Sequence, residues 1–311
     1  MWVTSTNNCS VKLTVVGHAV IDYIDVGYLP VKPTPGGTVT YTSIAASKLG
    51  LNVGIVSKVG LDFREDFRRF LEDHEISLKH LRIEDNAYTT SYIIKYTPRG
   101  RRMWLRNRCL PITLADLNCI DDSDMIHLGP VACELDEETV LELIRSSRIP
   151  ISVDVQGMLR KFAKTGYVTL AKNVNVSNLR GSKMIKLSLR EAEIIVGSSS
   201  IGRMLTKLSG IADIVAITAG GSGVYVVSGL DAFHIPAFKT KVVDPTGAGD
   251  CFVAGLIYGY LKGEDLIWST SLGLASASFI VEGYGPSNFG GLKEVYERAS
   301  FLVDNVSRIR L

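Results

Sequence analysis

The chain has 311 residues, 46% of them hydrophobic and 21% charged, which is too apolar for a disordered chain. Its 29 glycines follow no three-residue period, which excludes a collagen-like chain. Thirty-four basic against 32 acidic side chains leave a net charge of +2, so charge alone names no polyanionic partner.

Apolar, β-branched runs alternate with helical patterns along the sequence. A strand is predicted over 11–17, and the Pro-rich stretch between Asp22 and Gly37 reads as extended. A small-residue helix follows over 40–49, then a strand over 53–57 and an amphipathic helix over 62–74 opened by an Asp62 cap. Residues 89–108 read as two extended runs joined at Thr97-Pro98-Arg99-Gly100. Strands over 125–129 and 151–155 flank a helix over 136–147. Further strands are predicted over 172–177 and 183–187, a helix over 189–196, and strands over 214–218 and 224–227 around a glycine-rich turn. Residues 266–281 carry no charge but five Ser or Thr, and they are too short for a membrane span, so a buried helix is predicted there. This alternation implies βαβ units: an α/β chain with a doubly wound, mostly parallel sheet covered by helices on both faces. The chain reads as a single domain over 1–311, with extended insertions near 22–37 and 89–108 forming a small β-layer.

Five widely spaced cysteines (Cys9, Cys109, Cys119, Cys133, Cys251) include no C-x-x-C pair, which favours a reducing compartment over a zinc ribbon or disulfide framework. The N-terminal residues lack a basic stretch followed by an apolar run, so no secretory signal is expected and a cytoplasmic location is.

The most informative stretch is 242–260, VVDPTGAGDCFVAGLIYGY. It is expected to open with a strand, turn at Asp244-Pro245-Thr246, pass through Gly247-Ala248-Gly249 and become helical near Asp250. Small residues at a helix start let backbone N–H groups approach an anion, and the helix dipole adds positive potential. Gly249 is expected at φ > 0 in that turn. A carboxylate in an anion site is electrostatically misplaced unless it removes a proton from a hydroxyl attacking a bound phosphoryl group. The structural alternative is a helix corner with Asp250 as its cap. No G-x-x-x-x-G-K-[ST] and no G-x-G-x-x-G is present.

The string Asp-Pro-Thr-Gly-Ala-Gly-Asp at 244–250 closely resembles the C-terminal motif of the ribokinase/PfkB family of sugar and nucleoside kinases. Other positions match it in order. Residues 16–22 (VGHAVID) resemble the opening strand with its trailing Asp22, and Gly36-Gly37 with 44–50 resembles the Gly-Gly motif and helix. Thr218, Gly220 and Gly223 resemble the nucleotide loop T-x-G-x-x-G. Tyr41 stands where the family usually has Asn after the Gly-Gly motif, and Ser188 replaces Asn in the N-x-x-E motif while Glu191 is kept. The strings Asp154-Val155-Gln156-Gly157 and 281–286 (VEGYGP) look most like the archaeal-type inositol-kinase branch.

The resemblance implies a ribokinase-like fold with a β-sheet lid and transfer of the ATP γ-phosphoryl group to a hydroxyl of a small sugar or polyol. Inositol is one candidate; a nucleoside or hexose kinase, or a non-catalytic sugar or nucleotide sensor, stays open. It implies Asp250 as base, with Gly247, Ala248 and Gly249 as anion hole. Asp22, Gly36 and Gly37 would hold the acceptor, and Thr218, Gly220 and Gly223 the nucleotide. Glu191 would order Mg2+ through water, and a monovalent cation near the turn is left open. Gln156 and Arg160 join the expected acceptor site, because an amide both donates and accepts and so suits a ring bearing only hydroxyls. Small-molecule substrates are the expected partners, with no membrane, no nucleic acid, and a homodimer left open. Arg99, Arg101, Arg102, Arg106 and Arg108 around Trp104 form the densest basic patch. It reads as a solvated hairpin, a contact to a phosphorylated substrate, or a nucleic-acid surface. His18 and Cys251 are expected to be packing residues.

Overall fold

The computed structural model describes residues 12–97, 100–120, 122–172 and 174–311. Cys9, Val11, Pro98 and Arg99 of the expected turn, and Asn173 lie outside them. In chain order the elements are β1 (Lys12–Val16), β2 (Val20–Asp25), β3 (Pro33–Gly36), α1 (Gly37–Lys48), β4 (Asn52–Gly60), α2 (Glu65–Asp73), β5 (Ser77–Glu84), β6 (Ser91–Thr97) and β7 (Gly100–Asn107). There follow α3 (Leu114–Leu117), β8 (Met125–Leu128), α4 (Glu137–Ser146), β9 (Ile151–Asp154), β10 (Arg160–Phe162), β11 (Val168–Leu170), β12 (Ser182–Ser188), α5 (Leu189–Val196), α6 (Ile201–Leu208) and β13 (Ala212–Thr218). The chain ends with β14 (Val224–Ser228), β15 (Asp231–Ile235), α7 (Ala248–Leu261), α8 (Leu266–Ile280), α9 (Leu292–Val303) and β16 (Ser307–Ile309).

Among the described residues the large sheet runs β16-β15-β14-β13-β12-β9-β8-β1-β4-β5. It is parallel from β5 to β13 and antiparallel from β13 to β16. The two-residue period of each strand feeds two cores. Ile214 and Ala216 of β13 pack with α1, α7, α8 and α9 on one face, whereas Val215 and Ile217 pack with α5 and α6 on the other. Strands β3-β2-β6-β7 form a second, smaller sheet with its own apolar cluster around Val20, Ile24, Tyr92 and Met103. Both expected extended insertions supply it.

The uncharged 266–281 stretch is the buried helix α8. It meets α7 at a glycine contact: a Cβ on Gly255 would lie 2.5 Å from the Leu272 carbonyl oxygen, and one on Gly273 2.6 Å from that of Phe252. No helix among the described residues is long and apolar enough to cross a membrane.

Three local expectations fail for identifiable reasons. Asp62 does not cap α2; its Oδ1 accepts the Thr89 N–H at 2.6 Å, and the helix starts three residues later. The described residues of 172–177 form no strand: the Asn175 side chain accepts the Ser177 N–H at 3.2 Å and starts a short 3-10 turn. Val242 opens no strand either, because the N–H groups of Val243 and Asp244 turn to the Val281 carbonyl at the end of α8, at 2.7 and 3.3 Å.

Candidate active site

The turn before α7 is built around Gly247, which caps the helix at φ 81°. That left-handed conformation favours glycine, and a Cβ there would also lie 2.1 Å from the Tyr41 ring. The positive φ therefore belongs to Gly247, and Gly249 does not carry it, contrary to expectation. Gly249 instead lies over a lysine: its Cβ would stand 2.7 Å from Lys186 Nζ. Helix geometry leaves the first-turn N–H groups of α7 without intrahelical carbonyls, so Gly249 and Asp250 present donors beside the turn.

Asp250 lies in this first turn, half-buried. Its Oδ1 accepts hydrogen bonds from Thr38 Oγ1 at 2.8 Å and from Gln156 Nε2 at 3.2 Å. It is therefore held from α1 and from the end of β9 and does not act as a side-chain cap of its own helix. Burial and the nearby Asp154 charge raise its carboxyl to about 6, against the pull of Lys186, the Thr38 hydroxyl and Arg160. A carboxylate with that affinity is ionised at neutral pH yet basic enough to take a proton.

Gln156 is the hub of the site. Its Nε2 also reaches Thr38 Oγ1 at 3.1 Å and Asp154 Oδ2 at 3.3 Å, and its Oε1 accepts from Arg160 Nη2 at 3.1 Å. Arg160 is buried, donates through Nη1 to the Val131 carbonyl, and stacks over the Tyr92 ring at 5.3 Å. Asp22 does not end the opening strand as expected: β1 stops at Val16, and Asp22 lies inside β2 of the small sheet. Gly36 leaves room for it, since a Cβ there would lie 2.0 Å from Asp22 Oδ2. Gly37, at φ 81°, starts α1. Burial raises the Asp22 carboxyl to about 7, with Arg160 and Arg101 opposing and Asp244 and Asp250 adding to it. Asp22, Thr38, Gln156, Arg160, Gly247 and Asp250 line one cleft between the two sheets, with about 390 Å³ of empty space open to solvent.

A second cleft, with about 910 Å³ of empty space open to solvent, lies on the other side of the same turn. Pro245 and Ala248 line it from the turn, Gly220 and Gly221 from the β13–β14 connection, and Phe238, Leu274 and Val281 from elsewhere. Gly220, expected in the nucleotide loop, thus lines this cleft. Gly223 shapes the connection from behind: at φ 95° its Cβ would lie 2.0 Å from the Ile235 carbonyl oxygen. Thr218 ends β13 and donates to the Leu187 carbonyl at 3.3 Å, so it supports the loop without lining the cleft. Glu191 is buried beside Ser188, whose N–H its Oε2 accepts at 2.7 Å. The two residues form a capping box, which accounts for serine at that position.

Sequence reasoning overlooked Lys186, Thr38 and Thr246. Lys186 pairs with Asp154 at 2.9 Å inside the sheet, where the two stand opposite each other in the β9–β12 register. Burial disfavours its charge, but Asp154, Glu191 and Asp250 outweigh that and raise its pKa. The available signal was a lone lysine in the apolar run Met184 to Leu187. The expected packing residues behave as such. His18 is buried between Thr90 Oγ1 (2.7 Å) and the Leu110 carbonyl (2.9 Å), and burial pushes the Cys251 thiol well up. The arginine run divides between the two faces of β7: Arg101 lines the first cleft, while Arg106 stacks on Tyr23 at 5.3 Å.

The chain is similar in sequence to known kinases. It is 25% identical over 302 residues to a nucleoside kinase of Methanocaldococcus jannaschii, covering 92% of this chain and 96% of that protein. It is 26% identical over 262 residues to an Escherichia coli fructokinase, covering 80% and 84%. A pyrophosphate-dependent kinase of the ribokinase family, solved with a pyrophosphate analog and myo-inositol, superposes with a TM-score of 0.76 at 23% identity, over 92% of this chain and 99% of that one. The fold is therefore ribokinase-like. Residues 11–290 match the pattern of the pfkB family of carbohydrate kinases. The chain belongs to that family of phosphotransferases, which act on the hydroxyl groups of sugars or nucleosides.

Proposed function

We propose that this protein transfers the γ-phosphoryl group of ATP to a hydroxyl of a small sugar or polyol, with the small sheet as a lid. The observation that carries this reading is the turn shared by the two clefts: Gly247 and Asp250 face one, Pro245 and Ala248 the other. A donor in the second cleft and an acceptor in the first would meet at the first turn of α7. There the N–H groups of Gly249 and Asp250 would face the transferring group.

With Oδ1 of Asp250 held by Thr38 and Gln156, Oδ2 is left to take the acceptor's proton. The oxygen–phosphorus bond to the acceptor forms as that to ADP breaks. Asp22, Gln156 and Arg160 would hold the remaining hydroxyls. The apolar lining of the second cleft by Phe238, Leu274 and Val281 supports a nucleotide donor over pyrophosphate.

No cluster of three acidic, His or Cys side chains forms a metal cage among the described residues. That suits magnesium, which keeps several waters and binds largely through phosphates. Glu191, whose Oε1 is left by the capping box, would hold it through water, and the ion would neutralise charge on the phosphate oxygens.

Among acceptors, the likeness to the inositol-bound relative and the amide of Gln156 support myo-inositol. A nucleoside is favoured instead by the apolar Ile94 and Met103 on the lid side of the cleft. An ADP-release screen over inositols, pentoses, hexoses, hexose phosphates and nucleosides tests the reading. Asp250→Asn should lower kcat with the best acceptor by about 10²–10⁴-fold and change acceptor binding little. If Asp250→Asn keeps more than about half the activity, Asp250 is not the base.

A further inference from the structure

The first cleft contains a charge that the proposed chemistry does not use. Side chains of a strand alternate between its two faces, and β7 follows that rule. Arg101 and Met103 point into the cleft, whereas Trp104 stacks on Tyr167 with ring centroids 5.4 Å apart and Arg106 covers Tyr23 outside it. Val20, Asp22, Tyr92 and Ile94 line the cleft from the same sheet, and the Tyr96 hydroxyl meets Thr246 Oγ1 at 2.9 Å. Arg101 is thus the cation that this face turns toward a ligand.

Two nearby cations have partners, and Arg102 lies on the outer face. Lys95 pairs with Asp25 at 3.6 Å, and Arg108 donates to the Ala132 carbonyl at 3.4 Å. Arg101 has the Tyr96 hydroxyl beside it, and no carboxylate of the described residues comes within 4.0 Å. Arg160, deeper in the same cleft, also lacks a carboxylate partner and spends its N–H groups on the neutral oxygens of Val131 and Gln156. Arg160 acts electrostatically on both Asp22 and Asp250, while Arg101 acts on Asp22. Arg101 therefore belongs to the lid end of the cleft, on the Asp22 side. An acceptor bearing only hydroxyls gives an unpaired guanidinium nothing that a neutral donor would not. An oxyanion matches its planar fork with two parallel hydrogen bonds.

We infer that the acceptor is a small polyol bearing an anionic group, a carboxylate or a phosphate, which Arg101 binds at the lid end of the cleft while the reacting hydroxyl lies at Asp250. The inference rests on the kinase reading above and, within it, sets an anionic polyol in place of myo-inositol or a nucleoside.

The test uses matched acceptors: a hexose, its 6-phosphate and its aldonate, each assayed for ATP-dependent turnover and, separately, for binding by calorimetry without ATP. For the parent protein one anionic compound should exceed the neutral hexose at least tenfold in kcat/KM and in affinity. Whether phosphate or aldonate is preferred tells the two sources of the oxyanion apart. In Arg101→Gln that preference should collapse by about ten- to a hundredfold through KM, because a charge-assisted contact is lost. Arg102→Gln, on the outer face of the same strand, should keep it. The inference is overturned if neither anionic compound binds or reacts better than the hexose, or if Arg101→Gln and Arg102→Gln change the preference alike. Arg101-dependent binding of an anion without turnover of any acceptor would instead sink the kinase reading and leave the anion site standing.

Discussion

Two substitutions should move the acid limb of the pH–rate profile in opposite directions. Asp154 and Asp250 share the amide of Gln156, at 3.3 and 3.2 Å, so their nearest oxygens are at most about 6.5 Å apart. A unit charge at about 6 Å with an effective dielectric constant of about 20 is worth about 3 kcal/mol, or roughly two pKa units. Asp154→Asn removes that repulsion and leaves Lys186 to act on Asp250 alone. The acid limb of kcat/KM, expected at about 6 from the Asp250 carboxyl, should fall by one to two pH units. Lys186→Met removes the attraction and should raise the limb instead. Both variants break a buried ion pair, which costs about 3–5 kcal/mol of stability, so rates are to be taken well below each variant's melting temperature. The assay is initial-rate ADP release between pH 5 and 9 at fixed ionic strength. Limbs that move in the same direction, or that stay at the parental position in both variants, refute the assignment of Asp250 as the titrating base.

Gly247→Ala forces a Cβ into the Tyr41 ring and a side chain into the left-handed region; turnover should fall at least tenfold and stability by about 1–3 kcal/mol, checked by kinetics and denaturant melts. Asp22 has a folded-state pKa raised to about 7, so its charge costs stability in full above that pH, and the cost fades as pH falls toward 4. Asp22→Asn should therefore raise the melting temperature by several degrees at pH 8 and by little at pH 4.5, while weakening acceptor binding; equal shifts at both pH values would contradict the burial of this charge. Gln156→Leu frees Thr38, Asp154 and Asp250 from a shared donor and should lower kcat/KM about ten- to a hundredfold, with little effect on binding in the second cleft.

Much of the architecture was legible because it rests on local chemistry. The helix over 189–196 starts and ends where Ser188 and Gly197 say it should: one supplies a cap oxygen, the other a left-handed residue at φ 71°. Helix α4 likewise begins on the Asp136 cap, which accepts the Thr139 N–H at 2.7 Å. What escaped notice depends on partners far along the chain. Strand β5 is a half-exposed edge whose pattern gives no clean alternation, and β16 is three residues that exist because β15 pairs with them. Asp22 could be seen as a site residue, but not that Gly17 to Ala19 break the run and send it into a different sheet. Gln156 was chosen for its amide, yet its role as the junction between Asp154, Arg160, Thr38 and Asp250 needs three distant segments to converge. Lys186 was passed over because a lysine in a predicted strand defaults to the solvent side, and only the β9–β12 register shows the buried aspartate opposite it.

The glycine contact between α7 and α8 also bears on how such a protein diversifies. With Gly255 and Gly273 in close backbone contact, α7 packs tightly against its neighbour, so Asp250 is anchored to a closely packed helix pair. Residues that face an incoming molecule from the other side hang on a four-stranded sheet with a separate apolar cluster. Part of the selectivity is thereby carried by a different sheet from the one that positions Asp250, while Gln156 and Arg160 touch both tasks. Val20, Ile94, Arg101 and Met103 line the cleft from the small sheet and make no hydrogen bond to Asp250, so exchanging them should disturb its geometry least. Altering α7 or α8 would disturb the reaction for every acceptor at once. A search for new acceptors by directed mutagenesis should therefore start with the small sheet.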